Sequence, residues 1–238
     1  MKPTLIVDAD DTLWENSIYY DQCIAAFAEL MGAQGFGRKE AERTVETVQW
    51  ERIPQVGYAP EEFARSLVIA YQRLCKSHDQ PIEDAVSDRV WEIGQAVIEH
   101  PIVLLDGVAE TLARLSGRCR LLLLTKGDRE AQENKLVRSG LGHLFDEVHV
   151  VPEKEAEVIR GLLARYELRP EQTWMVGNSP RSDINPALEA RIGAIYVPHP
   201  NTWKLEQGEI AEPERVIVLN CFRELDALFP DTEGEQKV

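Results

Sequence analysis

Three carboxylates, Asp8, Asp10 and Asp11, stand within four residues, directly after the apolar run Leu5, Ile6 and Val7. Two carboxylates two residues apart, just past a buried strand, converge once the chain leaves the extended form. One can then serve as a nucleophile and the other as a general acid/base. A hard cation would offset their repulsion and neutralise charge on a phosphoryl group. Comparable groups recur later, each at the end of an apolar run. Thr125 and Lys126 follow Leu121 to Leu124, Lys154 follows Val150 and Val151, and Asn178, Ser179 and Asp183 follow Met175 to Gly177. A hydroxyl at Thr125 and nearby backbone amides suit phosphoryl oxygens. Lys154 suits the stabilisation of a nucleophile and of developing negative charge. Lys126 is its nearest rival, and a second substrate-binding candidate beside Thr125. Positioning and electrostatics of this kind do most of the work in phosphoryl transfer.

Such groups meet only if the runs before them are neighbouring strands. Thr4–Val7, Arg120–Leu124, Glu147–Val151, Thr173–Val176, Ala194–Val197 and Val216–Leu219 are short and largely apolar, as buried parallel strands are. Helical patterns follow at about Arg129–Ser139, Glu155–Tyr166, Asp183–Ala190 and Phe222–Leu228. Strand alternating with helix predicts a parallel α/β sheet with right-handed crossovers. In open sheets of this class ligands sit at the carboxyl ends of the strands, where these residues fall. Residues 16–100 break the alternation. Apolar residues at helical spacing, such as Tyr20, Ile24, Phe27 and Met31, predict four helices there. The breaks are Gly32–Gly37, Pro54–Pro60 and Ser77–Pro81. The first strand is thus separated from its sheet by an all-helical insertion. The expected organisation is a core of residues 1–15 and 101–238 and an inserted domain of residues 16–100.

Composition narrows the partners. The chain has 238 residues, 26 basic against 41 acidic, for a formal charge of −15. That balance argues against nucleic acid and against an anionic membrane surface. A local site can still oppose the global field and accept a phosphorylated small molecule. The four cysteines are scattered, so neither a zinc cluster nor a disulfide framework is expected. The opening residues do not read as a secretion signal, and no apolar stretch matches a membrane span. A cytoplasmic protein, monomer or homodimer, with a frayed acidic tail, is the expectation.

The segment Asp8-Ala9-Asp10-Asp11-Thr12-Leu13 resembles motif I of the haloacid dehalogenase superfamily, DxDx[TV]. Thr125 resembles motif II, Lys154 stands where motif III would be, and Gly177-Asn178-Ser179-Pro180-Arg181-Ser182-Asp183 resembles motif IV, usually GDSxxxD. The insertion matches the helical C1 cap. The resemblance implies a Rossmann-like doubly wound parallel sheet with an inserted helical cap domain. It implies a Mg2+-dependent phosphatase of a small phosphorylated metabolite. Asp8 would form an aspartyl-phosphate, and Asp10 would protonate the leaving group and then activate water. Thr125 would bind the phosphoryl group and Lys154 orient Asp8. Asp8, the Asp10 carbonyl, Asn178 and Asp183 would hold the metal. Asn178 departs from the usual Asp, which predicts weaker metal binding. A phosphomutase, a haloacid dehalogenase and a non-catalytic binding protein are the alternatives. Asp10 favours phosphoryl chemistry, because dehalogenases of the family lack it.

Overall fold

Thr4, Leu5, Ile6 and Val7 are all buried, and they form β1 (Thr4–Val7), an interior strand of a six-stranded sheet. The structure, a computed structural model, describes residues 2–231. The expected fraying of the last few residues falls outside them. The other strands are β2 (Arg120–Lys126), β3 (Glu147–Val151), β4 (Thr173–Gly177), β5 (Gly193–Tyr196) and β6 (Val216–Val218), in the order β3-β2-β1-β4-β5-β6. All pairings are parallel, with Ile6 opposite Leu122 on one side and Met175 on the other. β1 is therefore buried on both faces, which its unbroken apolar run requires. Leu5 and Val7 join one core layer, and Ile6 joins the other with Leu122, Leu124 and Met175. The result is a Rossmann-like, doubly wound α/β sheet, as the alternation of elements predicts.

The described chain divides into two compact units. One comprises residues 2–17, 102–126 and 132–231, and the other residues 18–101 with 127–131. The second is helical, built on α1 (Ser17–Ala33), α2 (Arg38–Val56), α3 (Pro60–Ser77) and α4 (Asp84–Gln95). Its own core includes Phe27, Met31, Val45, Val48, Leu67, Leu74 and Val90. α3 and α4 approach so closely at Gly94 that a Cβ there would lie 2.5 Å from Ala64 Cα. α2 runs through Pro54, where a break was expected. Pro54 lies in the last turn, where it gives up one intrahelical bond, that to Trp50 O, and Gly57 at φ 73 ends the helix by donating to Ile53 O. A cavity of about 450 Å³ in this unit is lined by Arg52, Glu62, Arg65, Val68, Ile69 and Trp91. Arg52 is ion-paired there with Glu62.

The sheet unit also holds α5 (Val108–Ser116), which the sequence reading passed over. Val108, Leu112 and Leu115 bury one face of it against the sheet core. The remaining helices are α6 (Arg129–Ser139), α7 (Ala156–Arg165), α8 (Asn185–Glu189) and α9 (Leu225–Leu228). Before α8 the chain makes a π-helical turn at Pro180–Ile184, where a continuous helix from Asp183 was expected. Such wide turns recur at functional sites. Among the described residues no helix is long and apolar enough to cross a membrane.

Candidate active site

Asp8 follows β1 and keeps the sheet pattern for one more residue, its N–H donating to Val176 O at 2.9 Å. The chain then folds back sharply. Leu13 N–H donates to Ala9 O at 2.8 Å, Asp11 N–H donates to Trp14 O at 2.8 Å, and Asp11 takes a left-handed φ of 58°. A strand end followed at once by this turn leaves the Asp8 carboxylate buried at the sheet edge. The Asp11 side chain serves the turn itself, accepting from Asn16 and Ser17 N–H at 2.8 and 3.0 Å.

Lys154 meets Asp8 there. Its Nζ lies 2.5 Å from Asp8 Oδ1 and 2.5 Å from Asp183 Oδ1. Lys154, Asp8 and Asp183 are 5, 4 and 0% exposed, so Lys154 faces inward although Glu153, Glu155 and Glu157 stand around it in sequence. Two carboxylates and one ammonium share this space with a net negative charge. Burial and the neighbouring Asp8 push the Asp183 carboxyl up to about 7, against the pull of Lys154. Burial would discharge Lys154, but Asp183 and Asp8 outweigh it and raise its affinity for the proton. Asp183 is also tied to the chain, its Oδ2 accepting from Ser179 N–H at 2.9 Å.

Only a glycine at position 177 leaves room for this carboxylate. A Cβ there would lie 2.3 Å from Asp183 Oδ2. Gly177→Ala is expected to cost about 1–3 kcal/mol, since Asp183 has nowhere to move. Urea denaturation checks this, and an unchanged midpoint would mean that the carboxylate moves aside freely.

Asp10 is held by residues that the sequence reading missed. Lys135 Nζ lies 2.7 Å from both of its carboxylate oxygens, Gln132 donates to Oδ2 at 2.9 Å, and Trp14 Nε1–H donates to Oδ1 at 2.8 Å. Burial alone would raise this carboxyl. Lys135, Gln132 and Trp14 outweigh it and hold Asp10 below its ordinary value. Trp14 is buried in the sheet core, with its indole N–H committed to Asp10.

Thr125 is buried at the carboxyl end of β2, beside the strand that carries Asp8. Lys126 is differently engaged. It is ion-paired with Glu206 and lies 3.1 Å from Ser182 Oγ. Burial would raise the Glu206 carboxyl, but Lys126 and the Ser179 and Ser182 hydroxyls hold it low.

Asn178 lies on the other side of Asp8. Thr12 Oγ1–H donates to Asp8 Oδ2 at 2.7 Å, and the inward amide atom of Asn178 is 3.2 Å from Thr12 Oγ1. The same amide position is 3.3 Å from Asp8 Oδ2 and 3.2 Å from the main-chain O of Asp10. Oxygen inward, the amide faces oxygens whose only proton is already given to Asp8. Nitrogen inward, it donates to them. A carboxylate oxygen, a peptide carbonyl and an amide oxygen form a hard-cation donor set. Two oxygens at right angles on Mg2+, each about 2.1 Å away, stand about 3.0 Å apart, close to the separations seen. The residues present therefore fit a magnesium ion, with the amide oxygen inward.

The loop after β5 closes this side. Thr202 Oγ1 is 3.0 Å from the outer amide atom of Asn178 and donates to His199 O at 2.9 Å. The His199 ring lies between Asp11 (Nδ1 to Oδ1, 3.8 Å) and Glu15 (Nε2 to Oε2, 3.3 Å). These three offer donor atoms within 4.8 Å of one another, a further group with metal-ligand chemistry.

A family model described as haloacid dehalogenase-like hydrolase matches residues 2–191. The phosphoserine phosphatase of Thermus thermophilus is 33% identical over 82 residues, 32% of this chain and 33% of that protein. The glyceraldehyde 3-phosphate phosphatase of Methanothermobacter thermautotrophicus is 34% identical over 101 residues, 40% of this chain and 41% of that protein. The chain thus matches less than half the length of these curated relatives. A crystal structure of a haloacid dehalogenase-like family hydrolase from Xanthomonas campestris superposes with a TM-score of 0.77. It has 28% identity and covers 95% of this chain and 94% of that one.

Proposed function

We propose a reaction from one premise: the chain belongs to the haloacid dehalogenase-like hydrolases and is itself a hydrolase. It is a phosphatase that releases phosphate from a small phosphorylated metabolite through an aspartyl-phosphate on Asp8, with Mg2+ as cofactor. The observation that carries this reading is the set of oxygens around the inward amide position of Asn178, next to a nucleophile already paired with Lys154. Asp8 Oδ2, the Asp10 carbonyl and Asn178 Oδ1 would hold the ion, which supplies charge neutralisation for the phosphoryl oxygens and the approaching carboxylate. Asp183 faces the other oxygen of Asp8 through Lys154 and contributes by orienting that lysine. Thr125 supplies a hydroxyl to the phosphoryl group.

In the first half of the cycle an Asp8 oxygen bonds to phosphorus, the bond to the leaving oxygen breaks, and Asp10 protonates that oxygen. In the second half Asp10 takes a proton from water, which attacks the same phosphorus and frees Asp8. The donors around Asp10 keep it ionised, which suits the second half; Lys135 opposes the protonation that the first half needs. Residues 16–100 are the inserted cap, which selects the substrate, and the protein works in the cytoplasm.

The test is phosphate release from p-nitrophenyl phosphate with and without Mg2+, beside halide release from a 2-haloacid. Metal-dependent phosphate release is expected. Halide release without metal would replace this reading with the dehalogenase one. Asp10→Asn should give one rapid equivalent of nitrophenolate, because that leaving group needs no proton. Turnover should then slow by about 10²–10⁴-fold as the base is missing. A uniformly slow reaction with no burst would remove Asp10 from the second half.

A further inference from the structure

We infer that Thr202 is a positioning residue for metal binding: its hydroxyl decides which end of the Asn178 amide faces Asp8. The inference rests on the metal site proposed above. An aspartate at position 178 would present oxygen to the cation whichever way it turned. An asparagine presents oxygen in one orientation and an N–H pair in the other. Nitrogen inward, the amide donates to Asp8 Oδ2 and to the Asp10 carbonyl, the same oxygens that a cation needs. The protein therefore carries its own competitor for the ion, and something must bias the amide against it.

Thr202 is placed to do so. It has one hydroxyl proton and spends it on His199 O at 2.9 Å. Its lone pair then faces the outer amide atom at 3.0 Å and accepts an N–H from it. That arrangement puts nitrogen outward and oxygen inward. Reversing the amide would require Thr202 to turn its proton toward Asn178 and give up the bond to His199. Asn178 and Thr202 are 5 and 8% exposed, so water offers little replacement for a lost partner. The Thr202 N–H also bonds to His199 O, at 3.1 Å, which fixes the turn that carries the hydroxyl. His199 in turn accepts from Asn201 N–H at 3.3 Å and lies beside Asp11 and Glu15, so the lock is anchored to the segment that follows β1. Partners of this kind, one step removed from the metal, commonly change affinity by 10–100-fold.

The experiment measures Mn2+ binding to the substrate-free protein by electron paramagnetic resonance of the unbound ion, with Mn2+ standing in for Mg2+. Thr202→Val, which keeps the shape and removes the hydroxyl, should weaken binding about tenfold, the low end of that range. Thr202→Ser should restore it. In an Asn178→Asp background, which should itself bind Mn2+ more tightly, Thr202→Val should shift the affinity by less than about threefold, since no wrong orientation remains to be excluded. Thermal denaturation in EDTA establishes that each variant is folded. Equal Mn2+ affinities for wild type and Thr202→Val would overturn the inference. So would the same loss in both backgrounds, which would mark Thr202 as general packing. If the wild-type protein binds no Mn2+, the metal reading falls and this inference falls with it.

Discussion

Asp8→Asn is expected to remove phosphate release almost entirely, by a factor on the order of 10⁴ or more, while leaving a folded protein. Asparagine has the same shape and keeps an oxygen for Lys154, but it cannot form the acyl-phosphate. The sharper expectation concerns stability. Asp8, Asp183 and Lys154 share a buried space with one surplus negative charge. Neutralising Asp8 removes the surplus, so the variant should melt at or above the wild-type temperature in EDTA. Inactivity together with gained stability is the signature of a site that holds unfavourable charge for its reaction. Residual turnover above a hundredth of wild type would exclude Asp8 as the nucleophile, and a lower melting temperature would contradict the charge account.

Lys154→Met should fail in the opposite way. It leaves Asp8 and Asp183 facing each other without a cation, and breaking a buried pair from one side costs about 3–5 kcal/mol. Turnover should fall by about 10²–10³-fold as well, the usual effect of losing one aimed charge. The pH dependence identifies the cause. In the wild type the Asp183 carboxyl is raised from 3.8 to about 7 by burial and by Asp8. The folded protein therefore binds that proton more tightly than the unfolded chain. Stability from this group is full below 3.8, declines as pH rises toward about 7, and is flat above. Asp10 is shifted the other way, so its contribution is present above 3.8 and is lost only in stronger acid. Without Lys154 the Asp183 value moves higher, and the decline should extend into alkaline solution. Urea midpoints between pH 5 and 9, in EDTA, test this; curves of equal slope for wild type and variant would refute it.

The strand ends that carry Asp8, Thr125 and Asn178 could be read from sequence because a parallel strand buried on both faces has little freedom in composition. The run Leu5-Ile6-Val7 announces itself, and so does the acid that terminates it. Lys154 was readable from its order relative to the other strand ends, although its glutamate neighbours suggest solvent. The clamp on Asp10 was not readable. Gln132 and Lys135 lie three residues apart on α6, so they share a helix face, but Leu136 is the one apolar residue buried with them, too little to mark that face as inward. The ion pair of Lys126 was not readable either, because its partner Glu206 lies eighty residues on, in a single 3-10 turn (Lys204–Glu206) outside the alternation of strand and helix. Nothing in the sequence singled out Thr202, whose single hydroxyl matters only through its neighbours. α5 was passed over although Val108, Leu112 and Leu115 stand at helical spacing.

The pairing of β1 also has a temporal side. Its residues leave the ribosome long before either neighbour: Ile6 must wait for Leu122 on one side and Met175 on the other. At ordinary synthesis rates the second partner arrives about 10–30 s later. The helical unit, nearly continuous in sequence, can organise within that interval, whereas the nucleophile has no place to sit until the fourth strand is made. Pairings this distant slow folding and leave an apolar edge uncovered meanwhile. The residue on which catalysis is proposed to depend is thus among the first made and among the last to be assembled.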